Sequence, residues 1–293
     1  MKLTQISTLV AAAVLSLAAN AEPFYLVVPD GETVVGDADM QTADAYQFGV
    51  NFSATSTYSD TDGSYDGSTA STFVTIGDTV LDTGFGKIDT LLQSDGTAWT
   101  GLSNTEALGT NWSLSFDYSF NGVVAVVENS GLPAVQGIGA FYGDGVVDGN
   151  DLIQIYYDEL NPGDGTVVSS TPVMNLEVLS STGTIGNFVL NAAVDFTGVD
   201  TTLAQSLFFF ADNTNWFDLW TAGQPLPGIE IYARVDTNVD PQQVPTVLNG
   251  TAARTNTLNG SVAFNRVPEP ATLALLGLGL VGLGLARRTK KVA

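Results

Sequence analysis

The sequence of 293 residues contains no histidine and no cysteine, and it has nine basic residues against 31 acidic ones. Without histidine and cysteine it cannot build a Ser-His-Asp or Cys-His nucleophile, a histidine-ligated zinc site or an iron–sulfur cluster. Disulfides are absent too, so a hydrophobic core must stabilise the fold. Carboxylate chemistry and oxygen-ligated cations are the site classes that remain.

The few basic residues are concentrated near the ends of the chain. Residues 22–266 hold four of them, Lys87, Arg234, Arg254 and Arg266, against 30 acids, a net charge of −26. Such a charge repels nucleic acid and anionic membrane surfaces and attracts divalent cations. We therefore expect no nucleic-acid partner.

The first 21 residues have the pattern of a secretory signal peptide. One base, Lys2, precedes an apolar run from Leu9 to Leu17, and Ala19-Asn20-Ala21 forms a small-x-small cleavage site. This pattern predicts a signal helix that is removed after Ala21.

The last 27 residues have a different pattern. Val267-Pro268-Glu269-Pro270 is followed by sixteen uncharged residues, Ala271 to Ala286, and then by four bases, Arg287, Arg288, Lys290 and Lys291. Sixteen helical residues span about 24 Å against about 30 Å of bilayer hydrocarbon, so the segment suits transient insertion in the inner membrane. The basic cluster predicts a cytoplasmic end. A permanent single-pass anchor is the alternative.

This tail closely resembles the PEP-CTERM sorting signal of Gram-negative bacteria, because motif, hydrophobic run and basic end occur in that order. The resemblance implies export, followed by cleavage near Pro-Glu-Pro by an exosortase-type transpeptidase. It also implies a place at the cell surface or in the extracellular matrix, with exopolysaccharide, biofilm or floc formation. The segments DTVLDTGFGKIDTL, NWSLSFDYSF and DLIQIYYDEL are similar in order to flocculation-associated proteins of this group.

Strand patterns fill the region between the two ends. From Trp112 to Phe120, large apolar residues alternate with Ser and Asp, and further alternating stretches are separated by Gly-, Asn- and Asp-rich turns. We expect an all-β fold, an antiparallel β-sandwich of jelly-roll-like order, flanked by the signal helix and a short C-terminal hydrophobic helix. The predicted domains are a signal peptide (1–21), an extracellular domain (22–266) and a sorting signal (267–293).

Two acidic, glycine-containing loops are candidate calcium sites, since closely spaced carboxylates can wrap a cation that needs six to eight oxygens. The candidate ligands are Asp60, Asp62 and Asp66 in the first loop and Asp144, Asp148 and Asp151 in the second. Neither loop fits the EF-hand pattern, and plain hairpin turns are the alternative. No other cofactor is expected.

The segment NTNWFDLWTAG is the candidate sugar-binding site. In an extended strand, Trp216, Asp218 and Trp220 would share one face, where two indoles could stack sugar rings and the carboxylate could accept hydroxyl hydrogen bonds. The alternative is that these indoles are buried.

We expect a protein that is not an enzyme, because its glutamates are scattered and show no glycosidase pattern. The first function class is a structural or adhesive matrix component that binds polysaccharide. The second is a carbohydrate-binding module with one defined site, and a carboxylate-based glycosidase is the least favoured alternative.

Overall fold

The computed structural model describes residues 21–29, 40–61, 74–129, 136–143, 151–184, 187–223, 231–238, 246–248 and 251–267. The chain divides into one compact unit, Ala21–Asn265, and a second made of Met1–Asn20 with Arg266–Ala293. The predicted signal helix and the predicted C-terminal hydrophobic helix lie outside the described residues. The fold below is therefore that of the first unit.

The described residues form twelve strands and three short helices. The strands are β1 (Phe24–Leu26), β2 (Gln47–Ser59), β3 (Thr79–Leu92), β4 (Trp112–Asn129), β5 (Gln136–Tyr142), β6 (Leu152–Leu160), β7 (Val167–Thr184), β8 (Asn187–Asp195), β9 (Phe208–Phe210), β10 (Ile231–Asn238), β11 (Thr246–Leu248) and β12 (Thr251–Arg266). The helices are α1 (Leu102–Thr105), α2 (Thr201–Leu207) and α3 (Trp216–Gly223).

Most strands belong to one antiparallel sheet that closes on itself. The order runs β10, β8, β7, β6, β4, β3, β2, β12, and β10 also pairs with β12, which completes a ring of eight strands. The strand β5 adds to β4, and β11 adds to β12. Closure leaves these eight strands without a free edge, which removes a route to aggregation.

The predicted all-β, antiparallel, sandwich-like fold is confirmed. The strand order differs from the predicted jelly-roll-like one, because most neighbours in the ring follow one another in the sequence, as in a meander, without Greek-key crossings. Alternation of apolar and polar residues indicates which face of a strand is buried. It does not indicate which strand lies beside which.

The core fills the interior of the closed sheet, and strand alternation decides which residues reach it. In β4, Trp112, Leu114, Phe116 and Phe120 are buried, whereas Asp117 between them is exposed. This follows the predicted alternation for Trp112 to Phe120, except that Ser113, expected on the solvent face, is buried as well.

The small sheet of β1 and β9 packs with α3 against the β12 side of the ring. The Trp216 ring of α3 lies 5.5 Å from Phe24 of β1, 5.4 Å from Phe208 of β9 and 4.7 Å from Phe264 of β12, measured between ring centroids. Helix α2 begins where the Asp200 carboxylate accepts a hydrogen bond from the Leu203 amide, at 2.9 Å.

Candidate functional site

The prediction that Trp216, Asp218 and Trp220 lie on a sugar-binding strand is wrong, because these residues belong to helix α3. Trp216 has no exposed surface, and Trp220 is half-buried against the core, with its ring 5.7 Å from Phe196. Asp218 is exposed, and its carboxylate accepts a hydrogen bond from the side-chain amide of Gln205 at 3.2 Å. The two indoles therefore do not form an open face beside the carboxylate.

Only two of the six candidate calcium ligands are among the residues that the structure describes. Asp62, Asp66, Asp144 and Asp148 lie outside the described residues, whereas Asp60 and Asp151 are described. In the described ranges, no three carboxylates group closely enough to hold a metal ion.

A buried aspartate, Asp78, fixes the ends of the chain segment that contains the first acidic loop. Its carboxylate accepts hydrogen bonds from the backbone amides of Thr61, at 3.0 Å, and Thr75, at 2.7 Å. One carboxylate therefore binds the backbone of both Thr61 and Thr75, the residues on either side of this segment. The sequence alone does not predict this role for Asp78.

A groove of about 580 Å³ lies on the outer face of the closed sheet and is here called the outer groove. Its volume lies within the range of about 300–1,000 Å³ that is usual for ligand sites. The strands β2, β3, β4, β6, β7 and β12 contribute its lining. That lining comprises Asn51, Phe52, Ser53, Phe85, Gly86, Lys87, Ser115, Phe116, Asp117, Tyr156, Asp158, Val167, Ser170 and Thr257.

The pairing register places the exposed side chains of the groove in two rows across the sheet. One row contains Thr257, Ser53, Phe85 and Asp117, which are opposite one another in successive strand pairs. The second contains Asn51, Lys87, Ser115 and Tyr156 in the same way. Residues paired directly across strands share a face, so both rows point outward together.

Phe85 is the apolar centre of the groove and is 70% exposed. Its neighbours Gly84 and Gly86 lie on the inward side of β3. A Cβ atom on Gly86 would lie 2.5 Å from the Asn51 carbonyl oxygen and 2.7 Å from Phe116 Cζ, and one on Gly84 would clash with the Tyr118 ring. The core aromatics thus occupy the space beside both glycines, while the ring between them faces solvent.

The polar groups of the groove carry both signs of charge. The ammonium group of Lys87 is exposed, and the one ion pair within the described part of the chain is elsewhere, between Arg234 and Asp236. The Tyr156 hydroxyl lies 3.2 Å from Asp117 Oδ2 and 2.7 Å from Gln154 Oε1. Partial burial raises the pKa of Tyr156, and the charge of Asp117 raises it further, so Tyr156 remains a neutral donor.

The second carboxylate of the groove, Asp158, is buried and already engaged. The hydroxyl of Ser113 donates to Oδ2 at 3.3 Å, and the hydroxyl of Ser170 donates to Oδ1. These bonds join β4, β6 and β7 on the outer face. Asp158 therefore supports the wall of the groove.

This groove was not predicted from the sequence, although two features of the sequence pointed to it. Phe85 stands between two glycines in a strand, and Lys87 is one of only four bases in residues 22–266. The flanking residues come from strands distant in sequence, so the full set could not be assembled without the strand order.

Together, these features define an all-β domain with an open polar and aromatic groove, followed by a separate C-terminal signal. Residues 266–288 match the family described as the PEP-CTERM protein-sorting motif. The chain therefore carries a PEP-CTERM sorting motif near its C-terminal end, as the sequence predicts. The motif implies that the protein is exported and processed by an exosortase on its way to the cell surface.

Other comparisons add little. No curated protein matches the chain. Among solved structures, the chain is similar to Ail, the attachment invasion locus protein of Yersinia pestis, in complex with the heparin analogue sucrose octasulfate. The identity is 9% over 74% of this chain and 99% of that one, with a TM-score of 0.12, so the likeness carries no argument. Among the described helices, none has the length and apolar character needed to cross a membrane.

Proposed function

We propose that the processed protein is a non-enzymatic component of the cell surface or extracellular matrix that binds exopolysaccharide through the outer groove. The observation that carries this proposal is the exposed Phe85 ring among Lys87, Asp117 and Tyr156 in an open groove of about 580 Å³. Biofilm or floc formation is the cellular role that we attach to it. Transient insertion of the tail in the inner membrane precedes release.

The chemistry of the groove suits a sugar chain. A pyranose ring has apolar C–H faces and a rim of hydroxyls, so it needs both a flat apolar surface and hydrogen-bonding groups around it. Phe85 supplies the apolar surface. Lys87 supplies donors, and Asp117 accepts. The side-chain amide of Asn51 already donates one hydrogen bond to Asp89, so it has one further hydrogen to offer.

The charge of the domain indicates which sugars it takes. Residues 22–266 carry a net charge of −26, so a polyanionic polysaccharide would be repelled over most of the surface. We therefore propose a neutral exopolysaccharide as the ligand of the groove. Calcium, bound at the two acidic loops, is proposed as a stabilising ion and not as part of the groove.

The groove suits binding better than hydrolysis. A glycosidase needs two carboxyl groups free to act as acid and base, or as acid and nucleophile, on the sugar. Asp117 has one hydroxyl neighbour, Tyr156, whereas each carboxylate oxygen of the buried Asp158 lies within hydrogen-bonding distance of a serine hydroxyl. This supports a binding protein over an enzyme.

Calorimetric titration of the secreted protein with its producer's neutral exopolysaccharide tests the proposal. We expect Phe85→Ala to weaken binding by about 5- to 30-fold, equivalent to about 1–2 kcal/mol, because a central aromatic anchor is lost. Ile76→Ala is the matched control, since Ile76 is 68% exposed but does not line the groove.

Three outcomes have distinct meanings. Loss of binding in Phe85→Ala alone supports the groove as the sugar site. Equal binding by both variants and the wild type would favour a matrix protein without a defined site. No binding by the wild type would overturn the polysaccharide proposal.

A further inference from the structure

A second cavity lies inside the closed sheet. None of its polar lining residues belongs to the outer groove. The cavity measures about 70 Å³ and lies between the inward faces of the strands. Its apolar part includes Ile88, Ile155 and Leu176, and its polar end includes Asp82, Arg254 and Asn256.

The polar end contains a mostly buried carboxylate with several hydroxyl partners. Asp82 Oδ2 accepts hydrogen bonds from Tyr142, at 2.9 Å, and Ser56, at 3.3 Å, and Oδ1 lies 3.4 Å from the Tyr118 hydroxyl. Burial raises the pKa of Asp82, and these hydroxyls together with Arg254 partly offset that rise. The carboxylate is therefore well supplied with donors.

Arg254 brings a positive charge to the same end without pairing directly with Asp82. In the register, Arg254 of β12 is opposite Ser56 of β2, and Ser56 is opposite Asp82 of β3, so one strand separates the two charges. The guanidinium lies over the Tyr58 ring, 5.6 Å from its centroid. Arg254 is only 7% exposed, whereas Lys87 and Arg234 are exposed.

Three polar atoms at this end have no hydrogen-bond partner within the described residues. They are Nε and Nη1 of Arg254 and Oδ1 of Asn256, and Asn256 is only 3% exposed. Leaving buried polar groups without partners destabilises a fold, so such groups are normally met by water or by a ligand. Two of the atoms need an acceptor, and the third needs a donor.

We propose that this interior cavity binds a small uncharged molecule that carries a short hydrocarbon part and an amide or hydroxyl head. The head accepts hydrogen bonds from Nε and Nη1 of Arg254 and donates one to Oδ1 of Asn256. These bonds would satisfy all three polar atoms. The hydrocarbon part contacts the apolar side of the cavity. A carboxylate would meet Arg254 but would add a second negative charge near Asp82 and could not donate to Asn256.

The volume limits the ligand to a few non-hydrogen atoms. A cavity needs about 10–15 Å³ to hold one water, so the cavity of about 70 Å³ has room for a few waters or for one molecule of a few non-hydrogen atoms. Acetamide and acetate are suitable probes, because they have nearly the same shape but differ in charge and in donor capacity.

Ligand-observed NMR on the secreted protein measures binding of both probes directly. We expect saturable acetamide binding and acetate binding at least tenfold weaker. Arg254→Met should weaken acetamide binding at least tenfold, and Arg234→Met, which changes an exposed arginine outside the cavity, should leave it unchanged. If Arg254→Met does not fold, Asn256→Ala provides the second variant, with weaker acetamide binding expected.

Two results would overturn the proposal. Acetate binding as tight as acetamide binding would indicate an anion site. No saturable binding of either probe to the folded wild type would mean that the cavity holds water only.

Discussion

Replacing Trp216 with alanine should destabilise the fold severely, because the structure places this indole at the centre of an aromatic cluster. It has no exposed surface, and the rings of Phe24, Phe208, Phe210 and Phe264 surround it at centroid distances of 4.7–5.5 Å. Truncation removes the indole from four partners that belong to three strands, and we expect the surroundings to close the void only in part.

The expected loss in the free energy of unfolding is about 3–5 kcal/mol, the usual range for a fully buried tryptophan changed to alanine. For a domain of this size, each kcal/mol lowers Tm by about 2–4 °C, so the expected fall is about 6–20 °C. Urea unfolding followed by circular dichroism measures the urea concentration at the midpoint and the slope of the unfolding free energy against urea concentration.

Two further variants separate this interpretation from an exposed sugar-stacking role. Trp216→Phe keeps an aromatic ring and removes an indole N–H that has no acceptor within the described residues, so we expect a cost well below that of alanine. Trp220→Ala should cost less than Trp216→Ala, since Trp220 is only half-buried. A Trp216→Ala variant as stable as the wild type would refute the buried placement of α3.

Three other outcomes are expected. Asp82→Asn should change the pH dependence of stability, because burial raises the folded-state pKa of Asp82 above its usual value of 3.8. As the pH rises above about 4, the wild type should therefore lose unfolding free energy relative to the variant. The expected loss is up to about 1.4 kcal/mol per pH unit. A difference that stays constant with pH would contradict this. Millimolar calcium at fixed ionic strength should raise Tm if the loops at Asp60 and Asp151 bind it, with about 2.7 kcal/mol gained at a hundredfold excess over Kd; an unchanged Tm would remove both loops as sites. Intact-mass analysis of the secreted protein should show losses of about 2.3 kDa at the N-terminal end and about 2.5–3 kDa at the C-terminal end, at about 110 Da per residue; recovery of a secreted species that retains Leu273 to Lys291 would contradict processing.

The sequence predicted the faces of the strands well, because alternation is a local property. Leu190, Ala192, Val194 and Phe196 alternate in the sequence, and all are buried. A continuous apolar run such as the one that begins at Val123 is typical of a strand buried on both faces, yet Val123 is 49% exposed. A continuous apolar run does not reveal whether the second face of its strand is covered.

The helix at Trp216 could have been recognised from the sequence but was read with the wrong period. Trp216, Leu219 and Trp220 recur at the spacing of one helical face, and the Asn215 side chain caps the helix by accepting a hydrogen bond from the Asp218 amide at 2.9 Å. A segment this short fits both the two-residue period of a strand and the 3.6-residue period of a helix. The capping residue Asn215 is the feature that distinguishes the two.

The two cavities could not be predicted, because their residues come from strands far apart in the chain. Arg254 and Asp82 are 172 positions apart and lie two strands from each other only because β12 pairs with β2. In the outer groove, Phe85 and Tyr156 are likewise brought together by the order β3, β4, β6. Strand order is the information that alternation lacks.

The most direct test of the central claim is an NMR map of the secreted protein titrated with an oligosaccharide from its producer's exopolysaccharide. Binding at the outer groove predicts that the largest amide shifts occur at Phe85, Lys87, Asp117 and Tyr156, while α3 around Trp216 remains unchanged. Shifts centred on α3, or saturating binding that leaves the groove residues unperturbed, would contradict the assignment of the sugar site to this groove.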